Sequence, residues 1–184
     1  SGIPVVLVDP HRSVGSTPQL IRTIADAVGK PDAGEALVKR TQEQIDQAKK
    51  QIAAWKPAKP MRVAFLYVRG NAGVFFILGS ENGASELIQG VGADDVASDK
   101  GITTLVPANA ESLVSINPDA IFVMRDGLAS TGGMKGLLAR AGVANTTAGR
   151  KQRVISIPDG ISLSFGPQTG EVLTAVAKAL YGVK

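Results

Sequence analysis

Cysteine is absent from this chain of 184 residues, which excludes a disulfide framework, a thiolate zinc site and thiol chemistry. Histidine occurs once, at His11, so no catalytic or metal site built on two histidines can form. His11 follows Asp9-Pro10 and reads as a solvent-exposed loop residue. Aromatic residues make up only 4% of the chain, so each tyrosine and phenylalanine carries more information than usual. No apolar run has the length of a membrane span or the layout of a signal peptide. The G-x-x-x-x-G-K-[ST] phosphate loop and the G-x-S-x-G elbow are missing. Gly90-Val91-Gly92 lacks the third glycine of a dinucleotide fingerprint and ends a helix instead of starting one. The carboxylate pair Asp94-Asp95 suits a solvated turn or a cap better than acid–base work. These absences argue against an enzyme.

What is present is a core-forming chain: 44% hydrophobic, 20% charged, with 21 glycines. Charge is too low for disorder. The net charge is +4 and the pI about 9.5, but the basic residues are dispersed. The densest group (Lys49, Lys50, Lys56, Lys59) lies along one helix and its exit, which fits a solvated helix face and no nucleic acid partner. The chain opens on Ser1-Gly2 directly before a strand-like run, so an upstream portion is expected.

Three parts are expected: residues 1–15, 16–60 and 61–184. Ile3-Pro4-Val5-Val6-Leu7-Val8 is an apolar run ending at Asp9-Pro10, the pattern of a buried parallel strand. Ser16-Thr17-Pro18 reads as a helix start with a hydroxyl cap. From about Asp32 to Trp55, the residues Leu37, Thr41, Ile45, Ala48, Ile52 and Trp55 fall on one helical stripe. That helix would be roughly 36 Å long and is a candidate spacer between two lobes. Lys56-Pro57-Ala58-Lys59-Pro60 ends it. Beyond it, strands are expected at 62–68, 103–106, 120–124 and 153–157. Helices are expected at 83–90, 110–116, 133–141 and 168–181, with 125–132 as a loop. Alternating strands and helices predict an α/β fold: a Rossmann-like doubly wound parallel sheet preceded by a long bridging helix and an orphan N-terminal strand.

The chemistry concentrates in Tyr67-Val68-Arg69-Gly70-Asn71-Ala72-Gly73, where a strand runs into a glycine loop. Side chains two apart on a strand share a face, and ligands bind at the carboxyl ends of strands in open α/β sheets. An arginine beside a phenol favours the phenolate, the form that coordinates a hard metal centre. A structural pair at a strand end is the simpler reading of these two residues alone. Arg125-Asp126-Gly127, Ser130-Thr131-Gly132-Gly133 and Phe165-Gly166-Pro167-Gln168-Thr169 are placed on the same rim. The last two lead into helix N-termini, whose free amides attract carboxylates; alternatively the glycines only shape turns and Phe165 only plugs the core.

From Ile3 onward the chain resembles the class III substrate-binding proteins of ABC importers, the group of cobalamin, siderophore and haem binders. Phe65-Leu66-Tyr67-Val68-Arg69-Gly70-Asn71-Ala72-Gly73, Leu128-Ala129-Ser130-Thr131-Gly132-Gly133-Met134-Lys135-Gly136-Leu137-Leu138 and Leu163-Ser164-Phe165-Gly166-Pro167-Gln168-Thr169 are most similar to hemin-uptake binding proteins of actinobacteria. The resemblance implies two Rossmann-like lobes bridged by a long helix, with this chain carrying the last strand of the first lobe, the bridging helix and the second lobe. It further implies that Tyr67 is an axial haem ligand hydrogen-bonded by Arg69. Asn71, Arg125, Ser130, Gly132, Phe165 and Gly166 are the other candidate haem contacts. Glu111, seven residues before Pro118, would dock an ABC permease arginine; as a first-turn acid it would also favour its own helix dipole.

In that subfamily a histidine from the first lobe takes the opposite axial position, and His11 does not align with it. Haem is therefore expected to be bound weakly, five-coordinate, or not at all by this chain. An exposed apolar strand at Ile3–Val8 would also invite self-association. The expected role is an extracytoplasmic haem carrier, a membrane-anchored lipoprotein in full-length form. A siderophore or cobalamin cargo, a Rossmann-like enzyme fragment and an inert lobe are the alternatives.

Overall fold

The computed structural model describes residues 2–3, 5–70 and 73–183. Two helices lead. α1 spans Thr17–Ala27 and α2 spans Pro31–Trp55. Proline in the first turn of each supplies a preset φ where the missing N–H is not needed, and Asp32 favours the positive end of α2. The buried positions of α2 are Gly34, Val38, Thr41, Ile45, Ala48 and Ile52, spaced alternately by four and three, as one helical face requires. Lys56 turns to an extended backbone, as expected before Pro57. Contrary to the predicted cap, Ser16 makes no side-chain cap bond. Its hydroxyl donates instead to the Ser13 carbonyl at 3.1 Å.

The sheet follows. Its strands are β1 (Arg62–Arg69), β2 (Val74–Ile77), β3 (Asp94–Asp95), β4 (Val106–Pro107), β5 (Ala120–Met124) and β6 (Val154–Ile157). The order is β4-β2-β1-β5-β6, with β3 pairing at the start of β1. β1, β5 and β6 are parallel, with Val63 opposite Ala120 and Ile121 opposite Val154. Helices fill the connections: α3 (Ala84–Gly90), α4 (Val96–Asp99), α5 (Ala110–Ile116), α6 (Arg125–Ser130), α7 (Gly133–Leu138), α8 (Thr147–Arg150) and α9 (Thr169–Tyr181).

Both faces of the sheet are covered. Val63, Phe65, Phe122 and Ile157 face Ala48 and Ile52 of α2 and Leu173 of α9. Ala64, Leu66, Val68, Ile121 and Val123 face Leu113, Leu137 and Val143. α9 lies directly on α2: a Cβ on Gly170 would come within 2.7 Å of the Gln44 carbonyl carbon. α5 is held at both ends. Asn109 and Ser112 form a capping box at its start, and Arg62 donates to the Ile116 and Asn117 carbonyls at its end.

The sheet, its loops and the N-terminal run differ from the sequence expectation at four places. First, the glycine loop after β1 does not lead straight to a helix; the chain turns back as β2, antiparallel to β1 with Arg69 opposite Val74. The doubly wound sheet is therefore mixed at this side. The reason is legible afterwards: Val74-Phe75-Phe76-Ile77 is a β-branched and aromatic run, and Gly70 and Gly73 adopt φ of 58° and 69°, which suits a tight return. Second, 125–132 is not a loop; α6 begins immediately after β5. Third, the strand expected at 103–106 is reduced to Val106–Pro107, paired with β2. Fourth, residues 2–3 and 5–9 form no ladder, and Ile3, Val5 and Leu7 are 75%, 78% and 89% exposed. A strand needs a neighbour to satisfy its backbone groups, and no described part of the chain supplies one. His11 is exposed, as expected. Of the solvated turn or cap expected at Asp94-Asp95, Asp95 fills the cap: it is buried, caps α4 at the Ala97 amide and accepts from the Ser85 and Ser98 hydroxyls.

Candidate ligand-binding site

The pleat of β1 sends Val63 and Phe65 to the α2–α9 side of the sheet, and Tyr67 and Arg69 continue on that face. Tyr67 is half-buried and packs on the Phe65 cluster. Among the described residues its hydroxyl has no hydrogen-bond partner. The Arg69 guanidinium carbon stands 5.1 Å from the Tyr67 ring centre, within cation–π reach. Its hydrogen bonds go to the Val68 carbonyl and to Asp159, both at 3.4 Å. The expected bond from Arg69 to the phenol oxygen is thus replaced here by contact with the ring face.

Asp159 joins three segments. Its Oδ1 receives Arg69, and its Oδ2 receives the Asp126 amide at 2.9 Å. The start of α6 is pressed against β1 as well: a Cβ on Gly127 would lie 2.6 Å from the Val68 carbonyl oxygen and 2.7 Å from the Arg69 Nη1. Only glycine fits there without displacing that arginine.

The hairpin tip is gripped from the other side. Gly70 donates its amide to the Ser130 hydroxyl at 2.9 Å, and Arg140 donates to the Gly70 carbonyl. Arg140 also lies over the Phe75 ring at 5.3 Å and reaches the Thr131 hydroxyl at 3.3 Å.

Of the residues singled out from sequence, Tyr67, Arg69 and Ser130 come together around this hairpin. Arg125 is exposed at the first position of α6, beside the Asp126–Asp159 contact. Gly132 is exposed at φ 88°, before α7. Asn71 lies outside the described residues. Phe165 does not present its ring: it is 2% exposed, within the same core cluster as Phe65. The Thr17 hydroxyl donates to its carbonyl at 2.9 Å, and its φ of 47° bends the loop towards α1. Gly166 consequently borders a different hollow, an apolar groove of about 350 Å³ formed with Leu20, Ile24, Leu37 and Pro167. Glu111 is exposed in the first turn of α5. Sequence reasoning missed Asp159 and Arg140. The turn Pro158-Asp159-Gly160 after β6 was a usable signal for the first; nothing local marks the second.

Among the described residues no three histidine or carboxylate side chains gather into a cage for a bare metal ion. A phenol whose oxygen has no partner among the described residues, beside a cation and glycine-lined backbone, suits a planar metal complex that brings most of its own ligands.

A family model for periplasmic binding proteins matches residues 1–160. The chain belongs to that family. No curated protein matches it. Among solved structures it is similar to heme binding protein HmuT, with 47% identity and a TM-score of 0.95 over 100% of this chain and 59% of that one. It is also similar to the periplasmic heme-binding protein RhuT of Roseiflexus sp. RS-1, with 35% identity and a TM-score of 0.87 over 92% and 64%. BhuT, solved with two hemes, gives 32% identity and 0.87 over 98% and 67%. This periplasmic binding protein chain thus spans 59% of the length of the HmuT chain it matches. Further HmuT structures carry alanine in place of a histidine, of a tyrosine and of the arginine two positions after that tyrosine, the spacing of Tyr67 and Arg69. Among the described residues no helix is long and apolar enough to cross a membrane.

Proposed function

We propose that this chain is the haem-gripping part of the binding component of an extracytoplasmic ABC importer. One observation carries the reading: Tyr67 stands half-buried, its hydroxyl without a hydrogen-bond partner among the described residues and Arg69 at its ring, in a chain 47% identical over its full length to a heme-binding protein.

In this reading Tyr67 supplies the phenolate oxygen to the iron and Arg69 supplies the compensating charge. Ser130, Gly132 and Arg125 line the approach. A planar, largely apolar ligand with two carboxylates suits that mixture of half-buried ring, backbone amides and guanidinium. Haem as cargo needs no acid–base pair. Residues 16–60 act as the bridge and 61–184 as the gripping lobe. Glu111, exposed on α5, is the contact for a cationic side chain of the permease, and Glu111→Ala is expected to lower transport while leaving hemin binding intact. The exposed run at the N-terminus supports self-association, which would double the mass seen in gel filtration.

Hemin titration tests the reading. Wild type is expected to give a Soret shift and a phenolate-to-iron charge-transfer band, and Tyr67→Phe to lose that band. A spectrum indifferent to the substitution sinks the assignment of Tyr67.

A further inference from the structure

The contact that no part of the haem reading uses is the one behind Arg69. Its guanidinium contacts two groups: the Tyr67 ring, with the guanidinium carbon 5.1 Å from the ring centre, and the Asp159 carboxylate at 3.4 Å. Asp159 is the less exposed of the ion pair, at 27% against 38% for Arg69. It also accepts from the Asp126 amide at 2.9 Å, a second hold that does not involve Arg69. Gly127 keeps room for the guanidinium, since a Cβ there would stand 2.7 Å from Arg69 Nη1. The arginine is thus held within reach of both the carboxylate and the phenol ring.

Resting on the assignment of Tyr67 as the iron ligand, we propose that Asp159 is a positioning residue that holds Arg69 against the tyrosine ring and tempers its charge at the phenol oxygen. Opposite charges at this separation attract where solvent is partly excluded, here through a single Nη2–Oδ1 contact of 3.4 Å. With Asp159 in place, the tyrosine oxygen feels the residual field of an ion pair. Without it, the full guanidinium charge is free to swing to that oxygen. A bare cation there lowers the energy of the phenolate electrons, so their transfer to ferric iron requires more energy. Asp159 thus sets how strongly Tyr67 donates to its ligand, although it does not touch the ligand itself.

Asp159→Asn keeps the shape and can still accept from the Asp126 amide, so the loop geometry is preserved. With hemin bound, this variant is expected to move the charge-transfer band to shorter wavelength and to change hemin affinity severalfold. Asp159→Glu is expected to return the band towards wild type. In an Arg69→Ala background, Asp159→Asn is expected to produce no further shift, because the group it acts through is gone. A purely structural role would instead lower the melting temperature and leave the band in place. A wild-type band unmoved by Asp159→Asn overturns this inference and leaves the haem reading standing. Absence of any band in wild type, or its survival in Tyr67→Phe, overturns the haem reading and this inference with it.

Discussion

Arg69 rests its guanidinium on the face of the Tyr67 ring, 5.1 Å from its centre, while bonded to Asp159 at 3.4 Å. The cation is held beside the candidate ligand atom and not on it. Replacing Arg69 by alanine is expected to preserve hemin binding and reduce affinity about tenfold, equivalent to roughly 1.4 kcal/mol. Absorbance titration measures this; unchanged affinity would remove Arg69 from the site.

The hairpin tip should be ordered by side chains from the far side of the sheet. The Gly70 amide and carbonyl are taken by Ser130 and Arg140. In Ser130→Ala the Gly70 amide is expected to exchange with solvent faster, with little change at Phe65 in the core. Arg140→Ala loses a cation–π contact with Phe75 and should cost about 1 kcal/mol. Equal exchange rates in Ser130→Ala and wild type would show that the clamp does not form.

The core is expected to respond far more strongly. Phe65 and Phe122 are fully buried and meet edge to face, ring centres 6.3 Å apart. Phe122→Ala should cost about 3–5 kcal/mol in denaturant unfolding. A loss below 1 kcal/mol would mean that the two sheet faces repack freely around it.

Close packing of α9 on α2 gives a backbone test. Gly170→Ala places a methyl 2.7 Å from the Gln44 carbonyl carbon, and strain of this kind costs about 1–3 kcal/mol. Gly15→Ala meets only the Ser13 hydroxyl, at 3.8 Å, and should be nearly neutral. Similar melting temperatures for the two variants would refute the packing.

Alkaline pH should weaken the fold through Tyr181. Burial, and secondarily the Asp94 carboxylate, push its phenol above the ordinary value of 10.0, while its hydroxyl donates to the Val91 carbonyl at 2.7 Å. The folded state holds this proton more tightly than the unfolded chain does. Its stabilising effect is therefore fully present below pH 10.0 and is lost as pH rises through the folded-state value. Unfolding free energy is expected to fall above that pH in wild type and to fall less in Tyr181→Phe.

The sequence by itself determined the elements whose signals are local. β5 and α5 have the expected bounds, and α2 begins one residue earlier than expected and ends as expected, because strand and helix periods and the terminating prolines lie within the segments themselves. That Tyr67 and Arg69 share a face follows from the two-residue repeat of a strand. Tertiary structure decided the rest. β2 needed the glycine return and a partner in β1, and α6 starts at an amide held by Asp159 from after β6. Phe165 is buried in the core while its carbonyl accepts from Thr17, and Arg69 found its carboxylate ninety positions away. Charge pairing and burial act through space, so a residue's neighbours along the chain do not specify them. The sequence located the phenol and the guanidinium; folding decided which way the guanidinium points.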